Sequence, residues 1–342
     1  MAGENKVGLT KSDYRGASTT LCAGCGHNSI NNQIMSAAYE LDIIPEDIVK
    51  FSGIGCSSKS PTYYLGRSFG FNSLHGRMPA VATGALFGDH LLTAVAMSGD
   101  GDTSNIGMGH FKHVMRRNLP MVYIVANNGV YGLTKGQFSA TAEQGLRLKA
   151  QGENFYMPID IVLEALASSA TFVARSFAGD ASQVKELIKA ALSHRGIAIL
   201  DIISPCVTFN NRDESHHSYS WGRQHREMIH DFNYIPLQEE IVIEEEFPEG
   251  GIQKVTMHDG SKVVLKKLDR DYDPTDRIKA IKTVQEANKE DILLTGLIFV
   301  DTSSQSLIDI YDLPEDRALN RLGQDELRPS KEALKKINGI MF

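Results

Sequence analysis

Two rhythms of apolar and polar positions run along this chain. Short, mostly apolar runs at residues 48–52, 93–97, 121–126, 171–176 and 197–203 end at turns rich in glycine, asparagine or serine. Runs of that length bounded by turn residues predict buried strands. Between them lies a helical rhythm. Over residues 28–41 it places Ile30, Ile34, Ala37, Ala38 and Leu41 on one face, until Pro45 breaks it, and residues 79–90, 159–168 and 180–194 also read as helices. Strand and helix alternate from about residue 28 to 206, which predicts an α/β fold built on a doubly wound parallel sheet.

Outside that span the rhythm changes. Residues 1–20 are polar and predict an N-terminal arm, and the α/β domain is placed at 21–212. Residues 213–342 are expected to be a C-terminal extension packed over a partner subunit. Within it, 239–264 reads as short strands broken at Glu249-Gly250-Gly251 and His258-Asp259-Gly260, 276–289 as a helix, and the last forty residues as polar.

The chemistry concentrates in residues 98–132. One predicted strand stops at Gly99-Asp100-Gly101-Asp102, a helix is expected to begin near Thr103-Ser104, and the next strand stops at Asn127-Asn128-Gly129. Parallel strands end at the same sheet edge, so Asp100 and Asn128 should be neighbours although 28 positions apart. A carboxylate and an amide oxygen among glycines suit a hard cation such as Mg²⁺. Free N–H groups at the helix start would face a phosphate there. Asp-Gly and Asn-Gly are also common turn dipeptides, and it is their pairing at consecutive strand ends that points to a diphosphate–Mg²⁺ site. The chain contains no Walker A loop, and these glycines do not follow the spacing of a dinucleotide fold.

Composition narrows the class only slightly. The chain has 342 residues, 42% hydrophobic and 23% charged, with a formal net charge of −7, which argues against nucleic acid as a partner. No apolar run approaches the roughly 20 residues that span a bilayer, and the opening residues lack the apolar core of a secretory signal, so the expected compartment is the cytoplasm.

The four cysteines are Cys22, Cys25, Cys56 and Cys206. Two disulfides are disfavoured in a reducing compartment. Four thiolates suffice for one zinc ion or one iron–sulfur cluster. Structural zinc usually takes two close pairs, whereas here only Cys22 and Cys25 are close. Cys56 lies 31 residues beyond Cys25 and Cys206 a further 150. The spacing alone leaves zinc and iron–sulfur level.

Five motifs, in order, carry a family resemblance. SGDGD at 98–102 followed by VANNGVYGLTKGQ at 125–137 resembles the thiamine diphosphate motif, which begins GDG and closes with NN. LCAGCGH (21–27), GIGCSS (53–58), HGRMPAVATG (75–84) and SPCVTFN (204–210) complete a resemblance to the β subunits of 2-oxoacid:ferredoxin oxidoreductases over about residues 20–212. YGLTKGQ is more similar to the 2-oxoglutarate and broad-range members than to those dedicated to pyruvate.

The resemblance implies a sheet of the thiamine diphosphate-binding type and a set of roles. Asp100 and Asn128 would give side-chain oxygens to Mg²⁺, and Val130 its carbonyl. The turn from Gly99 through Gly101 and Asp102, together with Gly132 and Leu133, would line the diphosphate, with Ile54, Gly55, Cys56, Ser57, His75, Gly76 and Arg77 on the cofactor's other side. Cys22, Cys25, Cys56 and Cys206 would hold a 4Fe–4S cluster. Lys59, Lys135 and Leu133 are candidate substrate contacts. The implied reaction is oxidative decarboxylation of a 2-oxoacid, 2-oxoglutarate before others, with coenzyme A, giving acyl-CoA, CO₂ and reduced ferredoxin. An α subunit would supply the rest of the cofactor site in an αβ or (αβ)₂ assembly. A cluster-free thiamine decarboxylase or carboligase, and a zinc-stapled binding subunit, are the competing readings.

The remaining polar residues read blandly. His27 and His75 are possible acid–base groups but more simply structural. His216-His217 and Glu244–Glu246 read as solvated surface, and Trp221 as an anchor for the C-terminal extension.

Overall fold

Side by side, the apolar runs form the middle of one sheet in the computed structural model, which describes residues 3–149, 151–236, 252–267 and 272–341. The strands are β1 (Ile48–Ser52), β2 (Phe69–Asn72), β3 (Thr93–Gly99), β4 (Met121–Asn127), β5 (Phe172–Phe177), β6 (Ile197–Ile203), β7 (Arg226–Met228) and, further on, β11 (Leu293–Val300). Their order is β7-β11-β5-β6-β4-β3-β1-β2. The block from β5 to β2 is parallel throughout, and β11 joins it antiparallel to β5.

Successive side chains of a strand face opposite ways, and both faces of this sheet are covered, which explains the unbroken apolar runs. In β4, Val122, Ile124 and Ala126 face a core shared with α1 (Gly26–Glu40) and α5 (Ala181–Leu192). Met121, Tyr123 and Val125 face the opposite core, with α2 (Met78–Gly88), α3 (Met108–Arg116), α4 (Ile161–Ala167) and α7 (Arg277–Lys289). On α1, the predicted apolar face at Ile30, Ile34, Ala37 and Ala38 is buried.

Three features differ from expectation. Tyr14 of the supposed arm is fully buried and donates its hydroxyl to the Ile43 carbonyl at 2.8 Å, so the arm is tied to the core through this residue. The segment beyond 212 is not an external extension: β7 and β11 are strands of the main sheet, because LLTGLIFV at 293–300 is apolar enough to be covered on both faces. It also forms a small sheet of β8 (His230–Ile235), β9 (Ile252–Thr256) and β10 (Lys262–Lys267), with the expected turn at His258-Asp259-Gly260 between the last two. Glu244–Glu246 and the Glu249-Gly250-Gly251 turn lie outside the described residues. Finally, Gly101–Ile106 is a π-helical turn and α3 proper begins at Met108, not at Thr103. Its wide bond, from Gly107 N–H to the Asp102 carbonyl at 2.9 Å, matches the π-bulges common at functional sites. Among the described residues no helix is long and apolar enough to cross a membrane.

Candidate functional site

The carboxyl ends of β1, β3, β4 and β6 share one edge, and the sequence motifs meet there. Gly99 sits opposite Ala126, which brings the two turns together. Asp100, 1% exposed, accepts from Gly129 N–H at 3.0 Å, from the Thr141 hydroxyl at 2.6 Å and, at a long 3.3 Å, from Asn128 N–H. Among the described residues, no basic side chain pairs with it. A buried carboxylate left without a counter-ion costs several kcal/mol, so these donors hold Asp100 ready for a cation. The Asn128 side-chain oxygen lies beside it and accepts Val130 N–H at 3.0 Å.

Around this pair is a cleft lined by His27, Ile54 to Ser57, His75, Gly99 to Asp102, Asn128 and Val130 to Thr134. The Ser57 hydroxyl is buried there with no hydrogen-bond partner among the described atoms. A Cβ added to Gly99 would come within 3.0 Å of that hydroxyl, so it points at the Asp100 turn. An orphaned donor facing a carboxylate primed for a cation fits a bound phosphate–metal pair. Gly101 is required by packing: a Cβ there would meet the Tyr131 ring at 2.5 Å. The Tyr131 hydroxyl donates to the Gly101 carbonyl at 2.8 Å, and burial beside Asp100 and Asp102 pushes its pKa up to about 12, so it stays a donor. The cleft encloses only about 70 Å³, far below the roughly 300 Å³ at which ligand pockets begin.

Asp102 lines the cleft and has a second task within the protein. Its Oδ1 accepts Gly76 N–H at 2.9 Å and Ile54 N–H at 3.3 Å and faces His75 Nδ1 at 3.3 Å, while Oδ2 accepts the Ser98 hydroxyl at 2.7 Å. The carboxylate therefore ties the loop after β1 and the His75-Gly76 turn to the end of β3. His27 is buried against Ser204, with Nδ1 2.6 Å from the hydroxyl, and burial lowers its pKa to about 4, so it is neutral.

The four thiols gather at the cleft's rim and are all free. Cys25 caps the start of α1, and Cys56 and Cys206 present their sulfurs to the same point beside Gly132. Burial pushes the Cys25 thiol up to about 11, with Cys206, Cys56 and Cys22 adding to the effect. Deprotonating thiols so placed would need a cationic centre to stabilise their charge. Among the described residues, no three metal-ligating side chains converge as they would around a single ion.

Of the other predicted contacts, Leu133 lines the cleft mouth, whereas Arg77, Lys59 and Lys135 are exposed and do not line it. Lys135 adopts a left-handed φ of 77° in the loop that leaves the site.

The reading of His216-His217 as solvated surface is overturned. His217 is buried, with Nδ1 3.1 Å from Glu143 Oε2 and Nε2 3.1 Å from Asn127 Oδ1. His216 stacks on Trp221 at 4.3 Å, and Trp221 in turn on His225, which anchors α6 (Tyr219–His225). Sequence reasoning also missed Thr141 and Glu143 in a strandless loop, and the buried Asp160–Arg175–Asp201 ion network. That network lines a larger cavity of about 610 Å³, to whose wall Asn127 and Thr141 also contribute.

Comparison with known proteins converges on one family. Residues 53–202 match the family described as thiamine pyrophosphate enzyme, C-terminal TPP binding domain. A 2-oxoacid:ferredoxin oxidoreductase subunit beta of Sulfolobus is 42% identical over 191 residues, covering 56% of this chain and 63% of its own length. The first curated relatives are therefore matched over about three fifths of their length. The 2-oxoglutarate synthase subunit KorB of Methanocaldococcus jannaschii is 37% identical over 192 residues, which are 56% of this chain and 70% of that protein. The 2-oxoglutarate:ferredoxin oxidoreductase of Magnetococcus marinus, solved with 2-oxoglutarate, coenzyme A and succinyl-CoA bound, superposes with a TM-score of 0.73 at 29% identity, covering 96% of this chain and 95% of that one.

Proposed function

Because this chain belongs to the family of 2-oxoacid:ferredoxin oxidoreductase β subunits, we propose that it forms the diphosphate-holding half of an enzyme that oxidatively decarboxylates a 2-oxoacid, 2-oxoglutarate by preference. Coenzyme A accepts the acyl group and ferredoxin the electrons, in the cytoplasm. The observation that carries this reading is the buried Asp100 carboxylate without a counter-ion, facing the orphaned Ser57 hydroxyl across one cleft.

Asp100, the Asn128 side-chain oxygen and the Val130 carbonyl would hold Mg²⁺, which asks for hard oxygen donors and keeps phosphate and water as its remaining ligands. The turn from Gly99 to Gly101, with Gly132 and Leu133, would bracket the diphosphate, and Ser57 would donate to it. Asp102 acts one step back, fixing the Ile54 and His75 loops that close the cofactor's other side. Cys22, Cys25, Cys56 and Cys206 would bind a 4Fe–4S cluster, each giving one thiolate to one iron. Thiamine diphosphate, when bound, supplies the electron sink for decarboxylation, and the cluster takes electrons singly. This chain would orient both groups through the residues named above. His27, neutral and held by Ser204, can exchange a proton but cannot supply a fixed positive charge at neutral pH. Lys59 and Lys135, exposed on loops that leave the site, are placed to meet a dicarboxylate substrate outside the cleft.

The small volume of the cleft supports a partner α subunit that covers the cofactor. The test is anaerobic co-expression with that subunit and a dye-reduction panel of 2-oxoglutarate, pyruvate and a branched 2-oxoacid. A brown complex absorbing near ~400 nm that turns over 2-oxoglutarate fastest is expected. A colourless complex with stoichiometric zinc would refute the reading.

A further inference from the structure

A chain of buried donors and acceptors leads away from Asp100. The Thr141 hydroxyl lies 2.6 Å from Asp100 Oδ2 and 3.0 Å from Asn127 Oδ1. His217 Nε2 reaches that same amide oxygen at 3.1 Å, and Nδ1 reaches Glu143 Oε2 at 3.1 Å. The other Glu143 oxygen accepts His216 N–H, also at 3.1 Å. All four residues are more than nine-tenths buried. Two loops about seventy residues apart in sequence thus meet beneath the candidate cation site.

The direction of each proton follows from what surrounds the chain. Asp201 accepts Arg175 Nε–H at 2.9 Å on one oxygen and Asn127 Nδ2–H at 3.0 Å on the other. This fixes the Asn127 amide, whose oxygen must face Thr141 and His217. A hydroxyl has one proton, and the shorter bond is to the Asp100 carboxylate. The Asn127 oxygen then takes its proton from His217 Nε2–H. Glu143, a carboxylate, takes the proton on Nδ1. With acceptors on both sides, His217 carries both protons, and the charge is matched by Glu143.

We propose that Thr141, His217 and Glu143 are positioning residues for the cation–diphosphate site. Glu143 holds His217, His217 and Asp201 hold Asn127, and the Thr141 hydroxyl pins Asp100 by Oδ2 through a three-centre hydrogen bond whose longer arm, at 3.0 Å, reaches the Asn127 oxygen. That leaves Asp100 Oδ1, whose only protein contact among the described residues is the long one to Asn128 N–H, turned to the cation. The inference rests on the reading of Asp100 as an Mg²⁺ ligand. It adds one residue, His217, from beyond the span that the family model matches.

The test uses the full chain assembled with its α subunit, stripped of Mg²⁺ and thiamine diphosphate by chelation. Mg²⁺ is titrated back at saturating thiamine diphosphate by calorimetry, and iron content and absorbance near ~400 nm are measured on the same samples. Thr141→Val should weaken Mg²⁺ binding roughly 10–100-fold, the range found for residues that orient metal ligands. Thr141→Ser, which keeps the hydroxyl, should restore most of it, and the iron should be unchanged in both. Equal Mg²⁺ affinity in Thr141→Val and the native protein would overturn the proposal. So would a Thr141→Ser as weak as Thr141→Val, because packing rather than the proton would then be what matters. Should Thr141→Val fail to assemble, Glu143→Gln carries the test: it keeps the volume and removes the charge, and an unchanged Mg²⁺ affinity there overturns the proposal. A native complex that binds neither Mg²⁺ nor thiamine diphosphate would remove the underlying reading of Asp100, a different result from any of these.

Discussion

Asp100→Asn separates the electrostatic role of this carboxylate from its hydrogen bonding. The native side chain accepts from Gly129 N–H, the Thr141 hydroxyl and Asn128 N–H while 1% exposed. An amide has one acceptor oxygen, so its NH₂ must face at least one of these donors. A buried donor left unsatisfied costs about 1–3 kcal/mol. Against that, the substitution removes an uncompensated buried charge, whose penalty is several kcal/mol. The two effects oppose each other, and the stripped variant should melt within a few degrees of the stripped native protein. The native protein gains from cation and cofactor by mass action, about 2.7 kcal/mol at a ligand concentration of a hundred times Kd. The variant should gain almost nothing. The assay is thermal unfolding of the anaerobic complex with and without Mg²⁺ and thiamine diphosphate, with iron measured in each sample. A variant stabilised as much as the native protein would refute the reasoning, and a variant that loses iron instead would mean that Asp100 serves the cluster.

Three further outcomes follow from the same geometry. Cys206→Ser should abolish the absorbance near ~400 nm and dye reduction yet leave Mg²⁺-dependent cofactor binding within about tenfold, as read by iron analysis and calorimetry; full retention of iron would remove Cys206 from the ligand set. Gly101→Ala should perturb cofactor binding strongly, because the new Cβ meets the Tyr131 ring at 2.5 Å; native affinity in that variant would show that the turn is not held as described. Burial raises Glu143 but His217 outweighs it and brings the pKa down from 4.5 to about 2. Burial likewise lowers His217, and Glu143 outweighs it to raise the imidazole above its ordinary 6.5. The Glu143 contribution to stability is therefore complete above about pH 4.5 and lost as pH falls toward 2, whereas that of His217 is complete below about pH 6.5 and lost as pH rises through its elevated folded value. Glu143→Gln should flatten the pH profile of thermal unfolding on both flanks, and an unaltered profile would count against a charged pair.

What the sequence revealed and what it hid divide along the range of the interactions involved. Asp100 and Asn128 were readable because strand ends carry their own punctuation, and parallel strands deliver those ends to one edge whatever the details of packing. The helix faces on α1 and α5 were readable for the same local reason. The role of Asp102 was not, since nothing in GDGD says that its second carboxylate turns back to tie Ile54 and Gly76. His217 was hidden more deeply. It sits in the polar stretch NNRDESHHSYS, whose composition predicts solvent, and its burial is made possible by Glu143, 74 positions away. A buried ion pair leaves no hydrophobic signature because each partner's cost is met by the other, and only the tertiary fold brings them together. The apolar run at 293–300 went unread as a strand because it stands alone in a largely polar segment. Its place beside β5 makes the C-terminal segment part of the sheet that positions the site. The same segment supplies His217 from below and, in the reading argued here, the Glu143–His217 pair fixes the very turns that the motifs advertise. The conspicuous residues would contact the cofactor, but the geometry that readies them depends on residues with no motif at all.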